Sequence, residues 1–106
     1  MRLLRLIAVL VWALPVGAGS VVAVTIDGVV HPITVEIIGH AVEAGRQQNA
    51  GALLLRIDTP GGLFESTRQI TEKIASSPMP VIAYVTPSGG RAASAGFFIL
   101  QSADLA

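Results

Sequence analysis

The run Ala52-Leu-Leu-Leu-Arg-Ile-Asp58, cut off by Thr59-Pro-Gly-Gly62, constrains the fold more than any other stretch of this chain. A near-continuous apolar run of that length, bounded by turn residues, is what a strand buried on both faces needs, and such strands belong to parallel sheets. Two further runs fit the same sheet. Val21-Val-Ala-Val-Thr-Ile26 is closed by Asp27-Gly28, and Val81-Ile-Ala-Tyr-Val85 is opened by Pro78-Met-Pro80. Segments of helical spacing lie between them. The first begins at His31-Pro32, where proline suits a first helical turn. Ile33, Ile37, Ala41 and Ala44 line one side of it with Ile38, Val42 and Gly45 beside them, and Asn49-Ala-Gly51 ends it. The second runs from about Phe64 to Ser76, with Phe64, Ile70 and Ile74 on one side. After Val85, a Pro/Gly-rich loop opens at Ser94 onto an apolar helix. Strand and helix alternating three times predict an α/β fold with parallel strands and right-handed crossover helices. Three strands leave exposed edges and incomplete cover, and the chain stops at Ala106, so the unit is expected to be a cut-short one.

Composition narrows the function. With 52% hydrophobic and 13% charged residues, the 106-residue chain is suited to one small packed domain and not to disorder. Seven basic and seven acidic side chains cancel, so no basic stripe exists to neutralise a nucleic acid backbone. There are no cysteines, which excludes disulfides, thiolate catalysis and Cys-based zinc sites. No metal or cofactor is expected. At the N-terminus, Met1-Arg-Leu-Leu-Arg5 carries two positive charges, Leu6 to Leu14 is wholly apolar, and small residues follow to Ser20. This is the three-part pattern of an export signal, with cleavage expected after Ala18 and a domain over 19–106. The apolar run is shorter than the roughly 20 residues of a comfortable membrane span. An uncleaved anchor or a buried helix is the alternative.

Chemistry is expected at the carboxyl ends of the strands, where parallel α/β units gather ligands. Three loops leave those ends: Asp27-Gly28, Asp58 to Gly62, and Thr86 to Gly90. Glycines there let backbone N–H groups face a bound oxygen with no Cβ in the way. Ser94 falls at a helix N-terminus, whose unpaired N–H groups and dipole favour developing negative charge. A nucleophile beside an oxyanion hole is the acyl-transfer arrangement. The plainer reading of Ser94 is a small residue at a helix start, where serine is common. Asp58 is more readily a turn cap than a catalytic acid. Arg91 either orients a carboxylate or holds its loop. Gly61-Gly62 is no phosphate loop, because no Gly-Lys-Ser/Thr follows.

Asp58-Thr-Pro-Gly-Gly62, followed at a distance by Pro87-Ser-Gly-Gly-Arg-Ala-Ala-Ser-Ala-Gly96, resembles the membrane-bound serine proteases of the NfeD family. These are relatives of the Clp protease proteolytic subunit and of signal peptide peptidase A. Val24 to Gly28 and Ser77 to Val85 extend the resemblance over most of the chain after the signal. It implies a Clp/crotonase-like fold of stacked βαβ units and a serine endopeptidase with Ser94 as nucleophile. The Ala95 amide, with that of Gly61 or Gly62, would form the oxyanion hole. Backbone around Leu63 and Phe64 would pair with an extended, hydrophobic peptide. A stomatin-like membrane protein as partner, later membrane spans, an extracytoplasmic protease domain and a homo-oligomer are further implications.

One departure stands out. The family's catalytic lysine follows the serine, beyond Ala106. Lys73 is the only lysine here and lies on the flank of the second helix, where a snorkelling role is expected. His31 precedes a proline and His40 sits on an amphipathic helix, so neither is expected to serve as base, although chain order alone forbids nothing. These 106 residues by themselves are therefore expected to show little activity. Two rivals are a non-enzymatic peptide-binding or scaffold form and a crotonase-type acyl-CoA enzyme. The latter also uses backbone amides but fits an export signal poorly.

Overall fold

A computed structural model describes residues 19–106, so the expected leader lies outside the described residues. Six elements follow in order: β1 (Val21–Asp27), α1 (Pro32–Gln47), β2 (Ala52–Asp58), α2 (Phe64–Ala75), β3 (Val81–Val85) and α3 (Ala95–Ser102). The strands form one parallel sheet in the order β1-β2-β3, as the alternation requires.

Register fixes the core. Val22, Val24 and Ile26 lie opposite Leu53, Leu55 and Ile57, and Leu53 and Leu55 lie opposite Val81 and Ala83. Because side chains alternate between faces, these residues share one side of the sheet. They form a single core with Ile38 of α1, Ile70 and Ile74 of α2, and Ile99 of α3. Each fully buried Leu or Ile there contributes roughly 1.5–3 kcal/mol. β2 is not buried on both faces, as its run of leucines suggested. Leu54 is half-buried and Arg56 is exposed, its Nε donating to the Tyr84 hydroxyl of β3 at 3.2 Å. The arginine in the run marks the face that the described helices leave open.

Two helix faces also differ from expectation. On α1 the buried residues are Thr34, Val35, Ile38, Ala41 and Gly45, whereas Ile33 is 60% exposed and Ile37 is exposed too. Small residues decide this. Met79 lies where a side chain on Gly45 would stand, and the Lys73 stem lies against Gly39. On α2, Ile70 and Ile74 are buried with Ser66 and Thr67, but Phe64 is 82% exposed. Six residues advance a helix by about 240°, so Phe64 and Ile70 cannot share a face.

The chain after α3 returns along the outer edge of β3. Leu105 bridges Ile82, Ala83 N–H donates to Leu105 O at 2.8 Å, and Val81 N–H donates to the Asp104 carboxylate at 2.8 Å. At the carboxyl end of the sheet the three loops lie side by side in strand order. Val30 bridges Gly62, and Thr59 bridges Ala92. No described helix is long and apolar enough to cross a membrane.

Candidate active site

The loop after β2 is clamped from both sides, and that clamp builds the site. Toward β1, Val30 N–H donates to Gly61 O and Leu63 N–H donates to Val30 O, both at 2.9 Å. Toward β3, Thr59 N–H donates to Arg91 O at 2.7 Å and Ala93 N–H donates to Thr59 O at 3.1 Å. Asp58 adds a side-chain tie, accepting the Arg91 N–H at 3.2 Å.

Ser94 stands at the end of the third loop, directly before α3. Its φ of 50° lies in the left-handed region, rare for a residue with a Cβ and costing of order 1–3 kcal/mol. Serine is a favoured helix cap, yet this side chain makes no capping bond. The residue is exposed, and its hydroxyl bonds to no group among the described residues. Gly61 makes the position possible. A Cβ there would lie 2.9 Å from Ser94 Cβ and 3.4 Å from Ser94 Oγ, and the φ of 127° at Gly61 is itself hostile to a side chain.

The two glycines differ in what their backbone amides bond. Gly61 is buried, and its N–H donates to Thr59 Oγ1 at 3.1 Å. Leu63 has no free main-chain group either, since its carbonyl accepts both the N–H and the hydroxyl of Thr67. Gly61 O and Leu63 N–H face Val30, so the polar groups of Gly62 between them face the other way. Among the described residues the Gly62 N–H has no partner, and Gly62 is exposed. The Ala95 N–H, at the first position of α3, is likewise unpaired, as helix starts leave their amides. Gly62, Ser94 and Ala95 together line a cavity of about 100 Å³, completed by Phe64, Thr67 and Phe98.

Of the residues expected at the site, Gly62, Phe64, Ser94 and Ala95 thus meet in one cavity. Gly61 supports it from behind, and Leu63 turns its main chain away. Val30 and Thr67 hold both main-chain groups of Leu63, the residue at which pairing with a substrate strand is expected. The candidate bases lie elsewhere. Lys73 Nζ is 3.5 Å from where a Gly39 Cβ would stand, on α1. His31 Nδ1 accepts the Ile33 N–H at 3.2 Å, and His40 is exposed on α1. Among the described residues no titratable side chain lines the cavity at Ser94. Among the described residues no group of three or more His, Asp and Glu is gathered to hold a metal.

Thr59, Thr67 and Phe98 were not singled out from the sequence. Phe98 follows Ala95 by three residues within α3, and Thr67 follows Phe64 by three within α2, the spacing that puts two side chains on one helix face. With Arg68, Thr71, Gln101 and Ser102, the side chains of Phe64, Thr67 and Phe98 also wall an apolar groove of about 410 Å³ between α2 and α3.

Residues 20–105 match the family described as NfeD1b, N-terminal domain. The chain is 36% identical over 104 residues to the membrane-bound protease PH1510 of Pyrococcus horikoshii, covering 97% of this chain and 24% of that protein. It is 36% identical over 67 residues to the membrane protein NfeD1b of Bacillus subtilis, covering 63% of this chain and 15% of that protein. The chain thus spans a minor part of the length of either relative. Among solved structures it is similar to the 1510-N membrane-bound stomatin-specific protease in a serine-to-alanine mutant. That match has a TM-score of 0.78 and 33% identity, over 80% of this chain and 41% of the other. A lysine-to-alanine mutant of that protease, in complex with a substrate peptide, gives 0.78 and 34% over 80% and 39%. ClpP1 of Listeria monocytogenes shares the fold, with a TM-score of 0.69 and 23% identity over 77% of this chain and 46% of that one.

Proposed function

Because this chain belongs to the NfeD1b N-terminal-domain family, we propose that it carries the nucleophile and oxyanion cradle of a membrane-associated serine endopeptidase. One conjunction supports this most: an exposed, uncapped Ser94 at positive φ shares a cavity with two unpaired amides, Gly62 N–H and Ala95 N–H.

The chemistry follows from those groups. An extended peptide lies along Gly62, whose free N–H and C=O face away from Val30, and adds to the loop as a strand would. Ser94 Oγ attacks the scissile carbonyl carbon while its proton passes to a base. The carbonyl oxygen becomes an oxyanion held by the Gly62 and Ala95 amides, with the positive end of α3 behind Ala95. The C–N bond then breaks, the amine takes the proton from the base, and water releases the acyl group by the same steps. The base is a lysine supplied from outside these 106 residues, kept neutral by desolvation. A bulky apolar side chain of the substrate enters the groove between Phe64 and Phe98.

The substrate is a hydrophobic segment of a stomatin-like membrane protein, on the model of the stomatin-specific relative. Residues 1–18 export the domain to the extracytoplasmic side, where it acts as a homo-oligomer at the membrane. In the protein as its gene encodes it, a fluorophosphonate should label Ser94. Ser94→Ala should abolish labelling and lower kcat on a hydrophobic peptide on the order of 10⁶-fold, as loss of the nucleophile does in other serine proteases. Cleavage that survives Ser94→Ala would overturn the proposal. Peptide affinity without labelling or cleavage would favour a non-enzymatic binding role.

A further inference from the structure

We infer that Thr59 is a positioning residue of this site: its hydroxyl consumes the Gly61 amide and, with the Val30 N–H, sets the Gly61 peptide so that the Gly62 amide faces the reacting carbonyl. The inference rests on the protease reading above and adds to it a residue that never touches substrate.

Thr59 is fully buried, and a buried hydroxyl must find its partners inside the protein. It finds both on one residue. Oγ1 accepts the Gly61 N–H at 3.1 Å and donates to Gly61 O at 3.2 Å. Gly61 is thereby held, together with the Val30 N–H bond to its carbonyl, in a backbone conformation of φ 127°. With Gly61 N–H consumed, Gly62 N–H is the glycine donor left to the cavity. The rest of Thr59 holds the opposite wall. Its own N–H and C=O bond Arg91 and Ala93, and its Cγ2 lies 2.5 Å from where a Gly96 Cβ would stand. One side chain thus references the Gly62 amide on one loop to the first turn of α3 on the other. A valine would keep the packing and lose the hydroxyl. Gly61 N–H would then be buried without an acceptor, the Pro60–Gly61 peptide unit would lose its tie, and Gly61 O would keep only the Val30 N–H.

The test uses the whole protein as its gene encodes it, with a hydrophobic peptide substrate and two variants. Thr59→Val should lower kcat about 10- to 100-fold with KM within about 3-fold, the loss expected when an oxyanion donor is misplaced and not deleted. Affinity for a peptide boronate, which needs the same donors, should fall in parallel. Thr59→Ser keeps the hydroxyl and should restore kcat to within about 3-fold. Unchanged kcat in Thr59→Val, or equal losses in both variants, overturns the inference, because a packing role depends on the methyl and not on the hydroxyl. Should Thr59→Val not fold, hydrogen exchange in the wild type decides. A Gly61 amide protected at least about 10-fold over that of Gly62 supports the inference, and equal exchange overturns it. Absence of Ser94-dependent cleavage in the wild type overturns the protease reading and this inference together. Ser94-dependent cleavage indifferent to Thr59→Val overturns this inference alone.

Discussion

Helices α1 and α3 both begin at a residue able to cap them, and they use it in opposite ways. At α1, His31 Nδ1 accepts the Ile33 N–H, while the His31 N–H donates to Thr34 Oγ1 at 3.2 Å, a reciprocal box with Pro32 behind it. Those groups are spent on the helix itself. At α3, Ser94 caps nothing, holds a positive φ, and leaves the Ala95 amide open. The start of α1 is made by its own side chains. The start of α3 is held from outside, by Gly61 against Ser94 and by Thr59 against Gly96. The residue type at a helix start therefore does not tell whether its side chain caps the helix; the neighbours packed against that start do.

The hardest test of that contrast is Gly61→Ala. The new Cβ would come 2.9 Å from Ser94 Cβ at a φ of 127°, so Ser94 or its facing loop must move. Fluorophosphonate labelling of Ser94 should fall at least about 100-fold, the scale set by misplaced catalytic groups. Stability should fall by about 1–3 kcal/mol. Gly28→Ala is the control: its φ of 85° is also unfavourable, but open space surrounds the new Cβ. It should cost stability without slowing labelling. Normal labelling in Gly61→Ala would show that α3 sets Ser94 unaided.

The same distinction explains what was legible in the sequence. β2 and β3 could be bounded because apolar runs meet Pro or Gly at both ends, and Gly62, Ser94 and Ala95, which line one cavity, could be grouped because two glycine motifs follow neighbouring strands. The inward face of α1 could not be read. Apolar residues span a wide sector of that helix, and Ile33 and Ile37 fit a helical stripe as well as Ile38 and Ala41 do. Gly45 against Met79 decides between them, across a contact distant in sequence. Gly61 and Gly62 are likewise equivalent as letters. Only the pairing of one amide to Thr59 and the bridge to Val30 separate the buried glycine from the open one.

A smaller effect sharpens the comparison from the α1 side. His31→Ala removes a side-chain acceptor from the first turn and should cost about 0.5–2 kcal/mol, with labelling of Ser94 unchanged. Ser94→Gly removes no capping bond and relieves a positive φ. It should leave stability unchanged or raise it by up to about 1 kcal/mol while abolishing labelling. Chemical denaturation of the two variants checks the pair. Equal losses would mean that the two helix starts are held alike.

The smallest effect concerns α2, whose start stands between the other two. Its first turn carries no side-chain cap at Leu63 but does carry Glu65, a charge that suits the positive end of a helix. Arg68 pairs with both Glu65 and Glu72 on the exposed face. Hydrogen bonding from Arg68, and then from Gln69, holds the Glu65 carboxyl below the usual carboxylate range. A depressed value in the fold means stability that is present above the unfolded-state value and lost as pH falls through the folded one. Glu65→Gln should therefore lower the melting temperature slightly at neutral pH, with a gap that closes on acidification and shrinks in about 1 M salt. Glu65 does not line the Ser94 cavity, so labelling should not change. A gap that widened on acidification would show that the Glu65 charge opposes this helix start, leaving the packing of Thr67 to hold the wall on which Phe64 meets the site.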